Sequence, residues 1–419
     1  MSSRQHRLGY RLAVFGLLFI GLLTLFPTPS EAAKAAATPL TCLVCGDMGG
    51  VDTFLNVLLF IPLGIGLGLA GFSWRRALVL AFLLSFCIEL LQMKVIAGRD
   101  ASLGDILTNT SGGTLGALLG IHWRRLVYAT RIEARRLALA WAVALLGIWA
   151  VSAWAFGPMY PVGAPWYGQW APDLGNYAHF GGTLLTLEAG GEPLLPGRAI
   201  DEARLEDAVA ANPSMAFHAV LGRMPHRLAP VGAIFDGRQR RVLLLGQERR
   251  DLAFALRTRA SILRLWTPTV NLANGMDGQP GDTVDAEGAL RNGAYVLSSR
   301  IGDVVRSRTL ALSASWGWSL VTPWTSVLGE EVHGLTTIWI AGLVALLAYW
   351  SVRARGPALA LPPVVSGLLI GAVPWAAGFP PAHWSEWAAA AAGIVLGSAL
   401  ASAAREAGQG KPAESDPAD

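Results

Sequence analysis

Charge is scarce in this sequence. Only 15% of its 419 residues are Asp, Glu, Lys or Arg, against about a quarter in ordinary soluble domains. Hydrophobic residues make up 53%, and mean hydropathy is +0.43. That balance excludes the two or three soluble domains that length alone would suggest. Cysteine is scarcer still. Three are too few for a disulfide framework, and no second CxxC joins Cys42 and Cys45 to complete a zinc site. The pair reads as a disulfide where it faces an oxidising compartment, with a redox-active pair as the alternative. Cys87 reads as a buried thiol packing as a small hydrophobe. There is no HExxH, GxSxG, Walker A loop or dinucleotide fingerprint, so no cofactor and no catalytic metal site is expected. His179, His218, His226 and His333 lack metal spacing and read as surface or turn residues. No repeat period argues for a propeller or solenoid.

What is present is a series of apolar runs. The first, LAVFGLLFIGLLTLF, follows Arg4, Arg7 and Arg11 and precedes PTPSEAAKAAA, so it fits a first spanning helix or a cleavable signal peptide. Further runs cover 54–72, 77–96, 103–121, 137–156, 335–350, 358–374 and 387–403. A helix rising about 1.5 Å per residue crosses ~30 Å of hydrocarbon in about 20 residues, so these runs predict about eight spans. Arg75 and Arg76, the basic stretch 124–136, and Arg353 with Arg355 fall in alternate loops, which are therefore expected on the cytoplasmic side. Segments 27–53, 94–102, 157–334 and 378–386 then face outward, and both termini lie inside. The net charge of +4 is explained by these clusters, so no nucleic-acid partner is expected.

Segment 157–334 has a different composition. Strand-like runs TLLTLEA, SMAFHAVLG, PVGAIFD, RRVLLLGQ, LAFALRT, AYVLS and TLALSAS are separated by DG, NG, QPG and RNG turns. They predict one compact all-β sandwich of jelly-roll type. Asp236, Asn274, Asp277, Asp282 and Asp285 read as turn-makers, with a calcium or sugar site as the alternative. Trp266, Trp316, Trp318 and Trp324 read as core or membrane-facing residues, with sugar stacking as the alternative. The acidic end of the chain, with Glu414, Asp416 and Asp419, reads as a disordered tail.

Chemistry concentrates in the second to fourth runs. A charge at the bilayer centre costs about 2.5 to 3.5 kcal/mol on insertion scales, so polar groups there carry information. Asp52 and Asn56 are four residues apart and share a helix face; Ser85, Glu89 and Gln92 follow i, i+4, i+7; Asp105 and Asn109 are again four apart. The connecting loop supplies Arg99 and Asp100. Glu89 lies on the order of 10 Å into the apolar layer and needs a donor or a proton. Arg99 is the nearest candidate cation, Lys94 the second, and the amides of Asn56, Gln92 and Asn109 are neutral donors. Gly64 and Gly68 on one helix, and Gly112, Gly116 and Gly120 on another, give the small-xxx-small pattern of close helix packing.

The blocks NVLLFIPLG, SFCIELLQ and GRDASLGDILTNTSGGTLGALLG resemble the VanZ-like membrane family. Its ordered set is matched by Asp52, Asn56, Phe60, Pro62, Leu63, Gly64, Ser85, Glu89, Gln92, Arg99, Asp100, Asp105, Asn109 and Gly112, over roughly 11–121. The stretch PVGAIFDGRQRRVLLLGQERRDLAFALRT is more weakly similar to concanavalin-like or laminin-G-like sandwiches. These resemblances imply a bacterial cell-envelope role and tolerance to glycopeptide antibiotics such as teicoplanin, and they bring no settled reaction.

The expected architecture is an α-helical polytopic membrane bundle with an inserted extracytoplasmic all-β sandwich. It divides into a VanZ-like bundle of four spans (1–136), a fifth helix (137–156), the sandwich (157–334), three C-terminal helices (335–404) and a cytoplasmic tail (405–419). The expected place is the bacterial inner membrane. The expected function is binding of, or action on, lipid-linked or surface glycan material at the outer leaflet. Its partners would be membrane lipids or a lipid-linked glycan, with carbohydrate on the sandwich as a further candidate. Alternatives are an enzyme acting on a lipid-linked phosphate or glycan, and an assembly partner in polysaccharide export. Glu89, Asp105 and Asp52 are the candidate catalytic residues; Arg99, Asp100, Asn56, Gln92, Asn109 and Ser85 are the candidate substrate-binding residues.

Overall fold

The computed structural model describes residues 3–26, 39–96, 101–161, 166–173, 177–195, 202–238, 240–322, 327–328 and 331–409. Arg99, Asp100, Trp324 and the acidic tail lie outside them.

Four helices open the chain: α1 (Ser3–Thr24), α2 (Gly49–Leu69), α3 (Trp74–Lys94) and α4 (Leu103–Val127). Their starts are set by local chemistry. Ser73 accepts from Arg76 N at 3.4 Å and Ser102 from Asp105 N at 3.0 Å, satisfying N–H groups that the first helical turn leaves without partners. α5 (Arg131–Phe156) begins with a capping box, in which Thr130 Oγ1 accepts from Glu133 N and Glu133 Oε2 accepts from Thr130 N. After the β region come α7 (Val332–Ala354), the broken stretch of α8 (Leu361–Gly367) and α9 (Val373–Ala376), and α10 (Trp384–Gln409). A π-helical turn at Leu368–Ala372 joins α8 to α9, between Pro362 and Pro374.

Among the described residues, seven helices are long and apolar enough to cross a membrane: Ser3–Thr24, Gly49–Leu69, Trp74–Lys94, Arg131–Phe156, Val332–Ala354, Gly356–Ala376 and Trp384–Glu406. The protein is thus multi-pass. The expectation of about eight differs at α4, which has 25 residues but is too polar to be counted with the others. Its hydroxyls fold back on their own helix. Thr108, Thr110, Ser111 and Thr114 each donate to the carbonyl four residues earlier, at 2.6 to 2.9 Å, so they place no unmet polar group in an apolar layer. Gly112, Gly116 and Gly120 of α4 lie against the backbone of α2, and Gly113 lies against Ala81 of α3. α1 joins through its own small residues, with Gly9 and Gly16 against the backbone of α2 and Gly66 against Ala13. Cys87, expected as a buried thiol, is exposed instead, because the buried stripe of α3 runs through Ala77, Ala81, Ser85, Ile88, Glu89 and Gln92.

Twelve strands lie between α5 and α7: β1 (Trp166–Trp170), β2 (Gly181–Ala189), β3 (Glu192–Pro193), β4 (Ser214–Arg223), β5 (Leu228–Asp236), β6 (Arg241–Glu248), β7 (Asp251–Leu256), β8 (Thr269–Leu272), β9 (Thr283–Arg291), β10 (Ala294–Ile301), β11 (Val304–Ala311) and β12 (Val327–Leu328). The short helix α6 (Glu202–Ala211) sits between β3 and β4. One sheet runs β1-β5-β6-β7-β8-β12 and the other β11-β10-β9-β4-β2-β3, and neither closes into a barrel. Pairing is antiparallel except between β8 and β12. A single core joins both sheets, with Leu187, Met215 and Phe217 from one facing Val231, Leu243, Leu245 and Phe254 from the other. The sandwich predicted from the turn signals is therefore present.

The same core takes in Phe156 at the end of α5, Trp316, and Val332 at the start of α7, so the sandwich is packed onto the helices that carry it. Trp316 and Trp318 belong to this core. At the opposite end of the helices, Trp350 Nε1 donates to Leu126 O at 2.9 Å and Arg353 Nη2 to Ala129 O at 3.2 Å, which ties α7 to the end of α4. That end carries Arg75, Arg76, Arg124, Arg125, Arg131, Arg353 and Arg405.

Candidate functional site

The polar side chains of α2, α3 and α4 meet around the start of α4. Ser102 N donates to Glu89 Oε2 at 2.9 Å, so the carboxylate of α3 caps the first turn of α4. Asn56 Nδ2 of α2 donates to Asp105 Oδ1 at 2.6 Å. One turn further on, Asn109 Nδ2 donates to Ser85 Oγ at 3.0 Å. Ser85, Glu89 and Asn109 are buried, at 0%, 5% and 3% exposure, and Asp105 is half-buried. Three helices are therefore joined by side-chain hydrogen bonds over two successive turns of α4. The helix periodicity predicted this meeting of Asn56, Ser85, Glu89, Asp105 and Asn109.

One candidate turns away from this meeting. Gln92 is buried but turns toward α1, where Nε2 donates to Thr24 O at 3.0 Å, a carbonyl left without an intrahelical partner at the end of that helix. Asp52 is exposed at the start of α2. Arg99 and Asp100 are outside the described residues. Glu89 accepts from the backbone of Ser102, and the cation first expected beside it, Arg99, lies outside the described residues.

Sequence reasoning missed Ser102 and the loop that precedes α2. Cys42 and Cys45 are disulfide-bonded. Leu103 N donates to Leu40 O at 2.9 Å and Gly104 N to Cys42 O at 3.1 Å. Together with Ser102 N on Glu89 and Asp105 N on Ser102 Oγ, these bonds satisfy four successive N–H groups at the start of α4. The signal for Ser102 was its place directly before a helical run followed three residues later by Asp105. The loop carbonyls have no side-chain signature. Breaking the disulfide with Cys42→Ser frees a short loop and is expected to cost about 2 kcal/mol. The check is the thermal midpoint of the purified chain with and without reductant, which should fall for the native protein and stay fixed for the variant.

Chemically, the arrangement offers two carboxylates that interact electrostatically, Glu89 and Asp105. It also offers one orphan: Asn109 Oδ1 is buried with no hydrogen-bond partner among the described residues. On the sandwich, Asp277 pairs with Arg250 at 3.6 Å, Asp282 Oδ2 accepts from Gln279 N at 2.7 Å, and Asp285 Oδ1 meets His218 Nδ1 at 2.7 Å. These acidic residues sit in separate turns and strands. Among the described residues no three His, Cys, Asp or Glu side chains group as metal ligands.

No curated protein and no solved structure matches the chain. The VanZ/LLP1 family model matches residues 12–124, which run from within α1 to near the end of α4 and include every helix of the polar cluster. The N-terminal helical region of this protein is therefore a VanZ-like domain, to which a two-sheet sandwich and a further set of helices are joined.

Proposed function

We propose that this protein binds lipid-linked or surface glycan material in a bacterial cell-envelope membrane, with its VanZ-like domain holding the polar head. In this reading the basic helix ends and both termini are cytoplasmic, and the concanavalin-like sandwich faces outward in the inner membrane. Tolerance to glycopeptide antibiotics follows if the bound material is what those antibiotics reach.

The observation that carries the reading is Asn109 Oδ1, a buried acceptor beside Ser85 that has no hydrogen-bond donor among the described residues. Leaving such an atom unmet costs about 1 to 3 kcal/mol, which a ligand hydroxyl or ammonium would recover. An enzyme on a lipid-linked phosphate or glycan is the second reading, supported by Glu89 and Asp105 as an interacting carboxylate pair suited to acid and base roles. A role in polysaccharide export rests on the combination of domains alone.

The test is mass spectrometry of lipids that co-purify with the full chain in native detergent extracts. A glycan- or phosphate-bearing lipid is expected with the native protein and is expected to fall at least roughly tenfold with Glu89→Gln at equal membrane abundance. If no such lipid accompanies either protein, the binding reading fails and the network is a clamp between helices.

A further inference from the structure

Outside the polar cluster, a concentration of arginine lies where the sandwich meets the VanZ-like domain. A cleft of about 900 Å³ opens there, a size suited to small ligands. Its walls carry Arg238, Arg240, Arg241, Arg257 and Arg264 from the sandwich, and Asp47 from the loop that leads into α2. These residues are scattered along the chain and are brought together by folding. β5 and β6 deliver the first three around their connecting turn, β7 ends just before Arg257, and the short 3₁₀ helix Arg259–Leu263 ends at Arg264.

The carboxylates at hand do not neutralise this set. Asp236, fully buried, is taken up by Arg240 at 2.7 Å and by the backbone N–H groups of Arg238 and Arg240 at 3.0 and 2.9 Å. Arg257 reaches the same carboxylate only at 4.0 Å, and the one described hydrogen bond of its guanidinium is from Nε to Ser261 Oγ at 3.1 Å. Yet Arg257 is 8% exposed. A guanidinium offers five N–H donors, and burying it without full pairing is costly. Burial first, and then the neighbouring Arg240, hold this guanidinium below its ordinary range even with Asp236 nearby. Arg238 and Arg241 form no ion pair among the described residues; Arg241 donates to Tyr177 Oη at 3.0 Å. Arg264 spends its donors on the carbonyls of Val44 and Gly46, and its own carbonyl accepts from Gly50 N at 3.1 Å, which fixes the cleft against the membrane helix α2.

We propose that this arginine cleft is a binding site for a phosphate-bearing anion, held by bidentate guanidinium contacts at the junction of sandwich and VanZ-like domain. Arginine forks match the geometry of phosphate oxygens, and several forks around one opening suit a diphosphate or a phosphodiester better than a single carboxylate. The anion is either a lipid head group, since the cleft adjoins the start of a membrane-spanning helix, or a free phosphate ester. The site is separate from Glu89: the Cys42–Cys45 loop stands between them, giving Cys42 O to Gly104 N on one side and Val44 O to Arg264 on the other.

The experiment uses the full chain in neutral detergent. Its thermal midpoint is titrated with sodium pyrophosphate against sodium chloride of equal ionic strength. In parallel, native mass spectrometry measures retention of phosphatidylglycerol against phosphatidylcholine from nanodiscs that contain both. The native protein is expected to bind at least one of the two phosphate probes, and Arg238→Ser with Arg241→Gln is expected to weaken that binding roughly tenfold or more. Neither side chain has a carboxylate partner among the described residues, so the anion-free midpoint should hold or rise; if it falls, Arg238→Ser alone supplies the comparison. A response to pyrophosphate assigns a free phosphate ester, and a response to phosphatidylglycerol alone assigns a lipid head. Glu89→Gln should leave the response intact, which separates this site from the glycan-binding reading. No response to either probe, or equal responses of native protein and arginine variants, would overturn the proposal.

Discussion

Gly116→Leu is expected to dismantle the VanZ-like domain, lowering the thermal midpoint of the detergent-solubilised chain by roughly 10 °C or preventing its purification as a single species. A Cβ placed on Gly116 would lie 2.9 Å from Ile65 N and 3.0 Å from Gly64 Cα, and closer still to Ile61 O. All three are backbone or its equivalent, so no side chain can swing away. The helices α2 and α4 would have to separate along their whole contact, since Gly64 on α2 meets Gly113 and Ala117 in the same way. Overpacking of this kind costs on the order of 3 kcal/mol, and between membrane helices no hydrophobic gain offsets it, because lipid tails are as apolar as the leucine. Separation of α2 and α4 also breaks the bond from Asn56 to Asp105. The control is Gly147→Leu on α5, where a Cβ meets nothing within 4 Å. Equal damage from both substitutions would mean that leucine harms these helices generally, and the close seam would not be what holds the domain together.

The spans were legible because crossing hydrocarbon demands long apolar runs, which single-residue hydropathy records directly. α4 is where that signal weakens. Its threonines, serines and glycines lower the hydropathy, yet bonds to the preceding turn and contact with α2 make the same residues suited to a helix wrapped by helices. The polar cluster was legible from i, i+4 spacing as far as which side chains share a face. Partner choice was not, since Gln92 selects a carbonyl on α1 and Glu89 a backbone N–H beyond the next loop, and backbone groups are the same at every position in a sequence.

In the sandwich, buried strands such as β6 announced themselves as VLLLG runs, while β9 did not. β9 alternates Val284, Ala286 and Gly288 inward with Asp285 and Glu287 outward, and its inward residues are mostly small, so its apolar signal is faint. The arginine cleft was invisible for a different reason. Its members span positions 47 to 264, and each alone looks like a solvated charge on a turn. Only the fold reveals that they share one opening while the nearest carboxylate is already committed to Arg240.

That commitment can be measured. Asp236→Asn is expected to destabilise the sandwich by about 3 kcal/mol at neutral pH, because removing one member of a buried ion pair strands the rest. The carboxylate has no exposed surface and accepts from Arg240 Nε at 2.8 Å as well as from the two backbone N–H groups of its own turn. Burial alone would raise its pKa, but the hydrogen bonds from Arg240 and Arg238 together bring it below the ordinary value of 3.8. A carboxyl whose folded value is depressed stabilises the fold fully above its unfolded value, and that stabilisation disappears as pH falls through the folded one. The native protein should therefore lose its advantage over Asp236→Asn only in acid below about pH 4, and keep it from pH 5 upward. Thermal midpoints of both proteins across that range provide the check. Asp285→Asn serves as the comparison, because the pair it forms with His218 is largely solvent-exposed and should contribute little at any pH. A gap between native protein and Asp236→Asn that widened on acidification, or a similar gap for Asp285→Asn, would show that the buried pairing around Arg240 is not what secures the β5–β6 turn.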